Sequence, residues 1–159
     1  MTSQVLTEQS NGVRAFVSLV RAHAAVTRRL SAQLMADHGL TINDYEVLIR
    51  LARAPDRRLR RVDLAEEVLL TASGITRLLD GLERSGYVSR AACESDRRVV
   101  YAVLTDEGLA KLREASTSHV AQIDDLFAGA FDAKELASVG DMLERLGDVR
   151  SVPDCTLDD

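Results

Sequence analysis

Two runs of residues in this chain have side chains and spacing suited to binding chemistry. Glu94-Ser95-Asp96-Arg97-Arg98 sets two adjacent guanidinium groups beside a carboxylate. At the tip of a hairpin such a pair makes a narrow positive finger, able to enter a minor groove. Asp96 can pair with Arg98 and hold its rotamer, which lowers the ordering cost of binding. The plainer meaning is a solvated loop whose charges keep a hairpin edge soluble. The second run, Thr71-Ala72-Ser73-Gly74-Ile75-Thr76-Arg77, combines small and hydroxyl side chains with one cation. On the first turns of a helix these let the backbone approach base edges and phosphates closely, and the helix N-terminus itself favours a phosphate. Its plainer meaning is a turn rich in capping residues.

Other polar groups lie near apolar faces. Arg14, His23, Tyr45 and His119 are candidates for a small-ligand site, with Arg14 suited to a carboxylate. Against this, Arg14 and His23 fit solvated helix positions, Tyr45 a core position, and His119 a surface or seam position. The histidines and hydroxyls show no nucleophile–base spacing and no glycine-rich phosphate loop. No His, Cys or carboxylate cluster has metal-ligand spacing. The expectation is no enzyme, no metal and no cofactor. Cys93 and Cys155 are the only cysteines and form no disulfide framework.

Charge is unevenly spread. The net charge is -5 over 159 residues. From Arg50 to Val100 there are 11 Arg against 8 acidic residues, and elsewhere 9 basic against 17 acidic. A basic centre with acidic flanks fits a nucleic-acid-facing middle on a scaffold that faces elsewhere. Arg outnumbers Lys 18 to 2, which suits bidentate phosphate and base-edge contacts and equally fits a GC-rich coding bias. The first twelve residues lack the apolar core of a signal peptide, and no apolar run reaches the ~18 residues of a membrane span. The expected location is the cytoplasm.

The elements that must position these runs follow from periodicity. Val13, Phe16, Val17, Val20, Ala24, Leu30 and Leu34 predict an amphipathic helix over 12–36, with Gly39 beyond its end. Thr41, with Asp44 three residues on, caps a second helix that stops at Ala54-Pro55-Asp56. Residues 57–61 read as a basic loop or the approach to a strand. A short helix over 63–69 follows, with Val62 as a poor cap. Thr71 then caps a helix over 72–85 that buries Ile75, Leu78, Leu79 and Leu82, and Gly86 ends it. The period next shifts to two, so Tyr87–Arg90 and Val99–Leu104 are strands joined by a charged loop. Thr105 caps a long helix running to about Ala128, and Asp132 with Glu135 opens the last one. The fold class is mainly α (α+β): a winged helix-turn-helix over 40–104, a helical scaffold from 12–36 and 105–148, and flexible tails at 1–11 and 149–159.

These residues resemble the MarR (multiple-antibiotic-resistance regulator) family. The resemblance rests on Gly39-Leu40-Thr41 with Tyr45 and Leu48, on Asp63-Leu64-Ala65-Glu66, on Thr76 through Val88, and on Asp96-Arg97-Arg98 running into Leu104-Thr105-Asp106-Glu107-Gly108. It implies a homodimer formed through the first and last two helices, binding a pseudo-palindromic DNA duplex. It places Ser73, Thr76 and Arg77 in the major groove, Asp96 and Arg98 on the wing, and Arg97 on a phosphate. It also implies a repressor released by a small aromatic carboxylate or phenol held between scaffold and DNA lobe. Apolar faces on the first, fifth and sixth helices independently suggest a partner copy.

Two alternatives stand beside that expectation. One is a winged-helix interaction module without DNA binding, favoured by the net charge and opposed by the cationic tip. The other is a redox-responsive regulator using Cys93. A family branch senses peroxide through a cysteine near the start of its first helix, and this chain has none there. Apart from Arg90 and Arg97 nearby in sequence, nothing marks the Cys93 thiol as acidic.

Overall fold

The computed structural model describes residues 10–146 apart from 69, 94 and 97. Helix α1 spans Asn11–His38; the Ser10 hydroxyl caps it by accepting from the Val13 N–H, and Gly39 ends it at φ 68°. That left-handed turn is one glycine adopts without steric cost. Helix α2 (Ile42–Arg53) opens with the expected reciprocal cap: the Asp44 N–H donates to the Thr41 hydroxyl and the Thr41 N–H to the Asp44 carboxylate.

The basic stretch that follows is a strand, not a loop. After a 3-10 turn at Pro55–Arg57, β1 (Arg58–Arg60) pairs antiparallel with β3 (Val100–Leu104), which also pairs with β2 (Val88–Ala92). The sheet order is β1-β3-β2. The sequence leaves a loop or the approach to a strand open here, because the outward positions of β1 are arginines and only Leu59 faces inward.

Strand β1 runs straight into α3 (Arg61–Glu67), so this helix starts two residues earlier than expected. Val62 is therefore not its cap. Arg60 holds that position without a capping side chain and instead grips Asp63 through two hydrogen bonds of 2.6 and 2.7 Å. Helix α4 (Ala72–Arg84) is capped by Thr71, whose hydroxyl accepts from the Gly74 N–H. It ends at Gly86, φ 77°, where the Tyr87 N–H returns to the Leu82 carbonyl. Helices α5 (Asp106–Ala128) and α6 (Ala133–Glu144) complete the chain, capped by Thr105 and by the Asp132–Glu135 pair.

One core joins these parts. Leu48, Leu51, Leu64, Ile75, Leu79, Leu82, Val88, Ala102 and Leu104 close around α2, α3, α4 and the sheet, and Leu112 and Ala115 of α5 seal it from the scaffold side. The start of α5 presses directly on the root of β2. The Thr105 hydroxyl donates to the Gly86 carbonyl at 2.6 Å and the Thr105 N–H to the Tyr87 carbonyl at 3.1 Å. A Cβ on Gly108 would lie 2.1 Å from the Tyr87 oxygen. Only glycine fits there, which gives the Leu-Thr-x-x-Gly run its physical meaning. Among the described residues no helix is long and apolar enough to cross a membrane.

Candidate nucleic-acid interface

The buried face of α4 sets what its other face can do. Ile75, Leu79 and Leu82 point into the core. Ala72, Ser73 and Arg77 are exposed near the N-terminal end, and Thr76 is half-buried. The Thr76 hydroxyl donates to the Ala72 carbonyl at 2.7 Å, so its proton is used within the helix. The Ser73 hydroxyl lies 3.2 Å from that of Thr71. Thr71 acts as the cap. The helix thus presents a small-residue start followed by one exposed guanidinium.

The wing tip is held by its backbone. The Cys93 N–H donates to the Val99 carbonyl and the Val99 N–H to the Asp96 carbonyl, both at 3.0 Å. The Asp96 carboxylate accepts from the Arg98 backbone N–H at 3.0 Å. This differs from the expected side-chain pairing. A short acid two residues before an N–H forms a turn more readily than it reaches a guanidinium. Asp96 therefore shapes the turn and leaves the exposed Arg98 guanidinium available. Arg97, the expected phosphate contact, lies outside the described residues, as does Cys155.

Sequence reading missed the latch between wing and helix. Arg90 of β2 pairs with Asp80, and at 2.8 Å with Glu83, both on α4. This neutralises two carboxylates on α4 and ties the wing to the helix. An acid pair at i, i+3 followed by a cation in the next strand was the available signal, but it needs the packing to be meaningful.

Cys93 also departs from expectation. Its thiol lies 3.1 Å from the Ser95 hydroxyl. That hydrogen bond, with backbone donors at Asp96 and Ser95, holds its pKa below the ordinary thiol value.

Of the four small-ligand candidates, the structure brings two together. Tyr45 and His119 meet edge to face with ring centroids 4.7 Å apart, and the Tyr45 hydroxyl lies 3.0 Å from that of Ser116. His119 is only 3% exposed, not a surface residue. Its Nδ1 has no hydrogen-bond partner among the described residues. Burial first, and neighbouring His38 second, hold its pKa below the usual imidazole value. Arg14 and His23 are exposed on α1.

Comparison with known proteins agrees with this geometry. Residues 38–99 match the model of the MarR family. Over 114 residues the chain is 35% identical to the HTH-type transcriptional repressor YetL of Bacillus subtilis, covering 70% of this chain and 68% of that one. It is 29% identical over 142 residues to the transcriptional regulator MhqR of the same organism, covering 89% and 94%. Among solved structures, Sco3205 of Streptomyces coelicolor, a MarR family transcriptional regulator in complex with DNA, superimposes with a TM-score of 0.78 at 29% identity, covering 87% of this chain and 88% of that one. With a winged helix-turn-helix so shared, and 35% identity over two thirds of each chain, the chain belongs to the MarR family of transcriptional regulators.

Proposed function

We propose that this chain is a homodimeric repressor that binds a pseudo-palindromic DNA duplex and releases it when a small aromatic or phenolic acid binds. The observation that carries the DNA reading is the pairing of the exposed start of α4 with the exposed Arg98 of the wing, in one latched lobe. Ser73, Thr76 and Arg77 read the major groove, and Arg98 enters the minor groove with Asp96 shaping its turn. Arg97 completes the set on a phosphate. Sco3205 is known in complex with DNA, and YetL is a repressor, which supports both the partner and the sign of the effect. The dimer reading is supported by exposed apolar residues on two of the three scaffold helices: Val13, Phe16 and Val20 on α1, and Met142 and Leu143 on α6. Residues 40–104 are the DNA lobe, and 12–36 with 105–148 the scaffold. For the effector, the reading centres on Tyr45 and His119, which meet between α2 and α5; Arg14 and His23 are exposed further along α1 and do not join them within one chain. Isothermal titration with salicylate-like acids gives heat on this reading, and no heat with any acid removes it.

The test of DNA binding is fluorescence anisotropy with a labelled duplex from upstream of the protein's own gene, over a salt series. Wild type binds saturably and weakens steeply with salt, and Arg98→Ala loses about 1–3 kcal/mol. No binding at low salt to this duplex or to a shuffled one leaves the interaction-module reading in its place. Good binding that ignores Arg98→Ala reassigns the wing.

A further inference from the structure

Arg57, Arg58, Arg60 and Arg61 form a basic run whose members do not share one fate. Arg57 pairs with Asp106 at 3.0 Å, and Arg58 lies 3.8 Å from Asp56 and 5.2 Å above the Tyr101 ring centroid. Arg60 is held by Asp63 through two hydrogen bonds. Among the described residues, Arg61 has no such partner, and it is exposed. It lines a cleft of about 190 Å³ whose other walls are Arg60, Val62, Asp63, Arg98, Val99 and Val100. The charges of Arg60 and Asp63 cancel across their paired hydrogen bonds. Among the described residues, what remains is Arg61 at the start of α3 and Arg98 on the wing, lining the cleft beside Val62, Val99 and Val100.

A cleft lined by two arginines and, among the described residues, no unpaired acid attracts an anion. The anion must be small and must present oxygens to a planar fork. A backbone phosphodiester meets both conditions, and a duplex entered by Arg98 carries one beside the groove. We propose that Arg61 is a phosphate anchor: it holds a DNA backbone phosphodiester at the mouth of the cleft it shares with Arg98. This rests on the DNA-binding reading above and extends the contact surface from α4 and the wing tip to the junction of β1 and α3. Phosphate contacts set register and affinity and carry no sequence information of their own. Arg61 therefore contributes equally to every duplex, whereas Arg98 contributes by sequence.

The experiment is anisotropy over a salt series with the upstream duplex and a shuffled duplex, for wild type, Arg61→Ala, Arg61→Lys and Arg98→Ala. Arg61→Ala weakens both duplexes by a similar factor, about tenfold at low salt, and lowers the slope of log K against log salt by about 1 per protomer. Arg61→Lys keeps the charge and most of the slope, which separates anchoring from misfolding. Arg98→Ala weakens the upstream duplex more than the shuffled one. An unchanged slope in Arg61→Ala, with wild type binding normally, overturns the anchor and leaves the DNA-binding reading intact. A loss confined to the upstream duplex overturns it too, because that is base readout. A separate titration with salicylate and with inorganic phosphate, without DNA, covers a free anion as the occupant. Heat abolished by Arg61→Ala, together with an unchanged DNA slope, reassigns the cleft and overturns the anchor. Wild type that binds neither duplex overturns both readings.

Discussion

The lobe of α2, α3, α4 and the sheet keeps its large apolar side chains to itself, whereas α1 and α6 turn many of theirs to solvent. Leu48, Leu51 and Leu64 are wholly buried. On α1 the buried residues are Leu30 and Leu34, both in its C-terminal third, and on α6 there are none. Phe16 is 66% exposed and Leu146, just past α6, 70%. The difference teaches where each region finds its stability. The lobe has an internal core that α5 closes from the scaffold side. The far ends of the scaffold have amphipathic sequences with nothing in the same chain to cover them, and large exposed apolar faces of this kind mark association sites. In the proposed dimer those faces become a second core, shared between copies.

The comparison breaks most sharply at Phe16. If two copies each bury this ring, Phe16→Asp removes about 3–6 kcal/mol per dimer. Sedimentation is expected to move from dimer to monomer, and the thermal midpoint to lose its dependence on concentration. A variant that stays dimeric would mean that this face is not the seam. Leu48→Ala tests the other side. It is expected to cost about 2–5 kcal/mol in urea unfolding, at every protein concentration alike. A cost that varied with concentration would mean that lobe and seam are not separate cores.

The smallest effect sharpens the boundary between the two regions. His119 of α5 sits buried against Tyr45 of α2, with a pKa below the unperturbed 6.5. The unfolded chain takes up this proton near pH 6.5 and the folded chain only at lower pH. The stability it contributes is therefore complete above 6.5 and is lost as pH falls from there towards the folded value. Replacing His119 by Phe removes both the titration and the unpartnered nitrogen. The expected result is a flatter stability profile between pH 7 and pH 5. An unchanged profile would place the pH dependence elsewhere.

Much of this was legible in the sequence because the signals were local. The caps at Thr41, Thr71, Thr105 and Asp132 each need only a side chain and an N–H three residues away, and all four formed as expected. The apolar periodicity of α4 was equally direct, although Leu78 proved only partly buried. What sequence did not disclose depends on distant partners. Strand β1 exists because Leu59 pairs opposite Ala102, and no local pattern of Arg-Leu-Arg announces that. The Arg90 latch joins β2 to α4 across a turn. The interior position of His119 depends on α2 and α5 meeting. The free state of Arg61 appears only once its three neighbours have found their acids.

The contact between Gly108 and the Tyr87 carbonyl has a mechanical consequence. With no Cβ to hold them apart and Thr105 bonded on both sides, α5 and the base of the wing have no slack between them. Helix α5 has 23 residues and is about 34 Å long, so tilting it by about 5° at the far end carries the wing base through roughly 3 Å. It is a lever with its long arm fused to the load. In the proposed dimer, small rotations where copies meet become whole-lobe displacements, and the spacing between the two lobes is set by helix angle rather than by any loop.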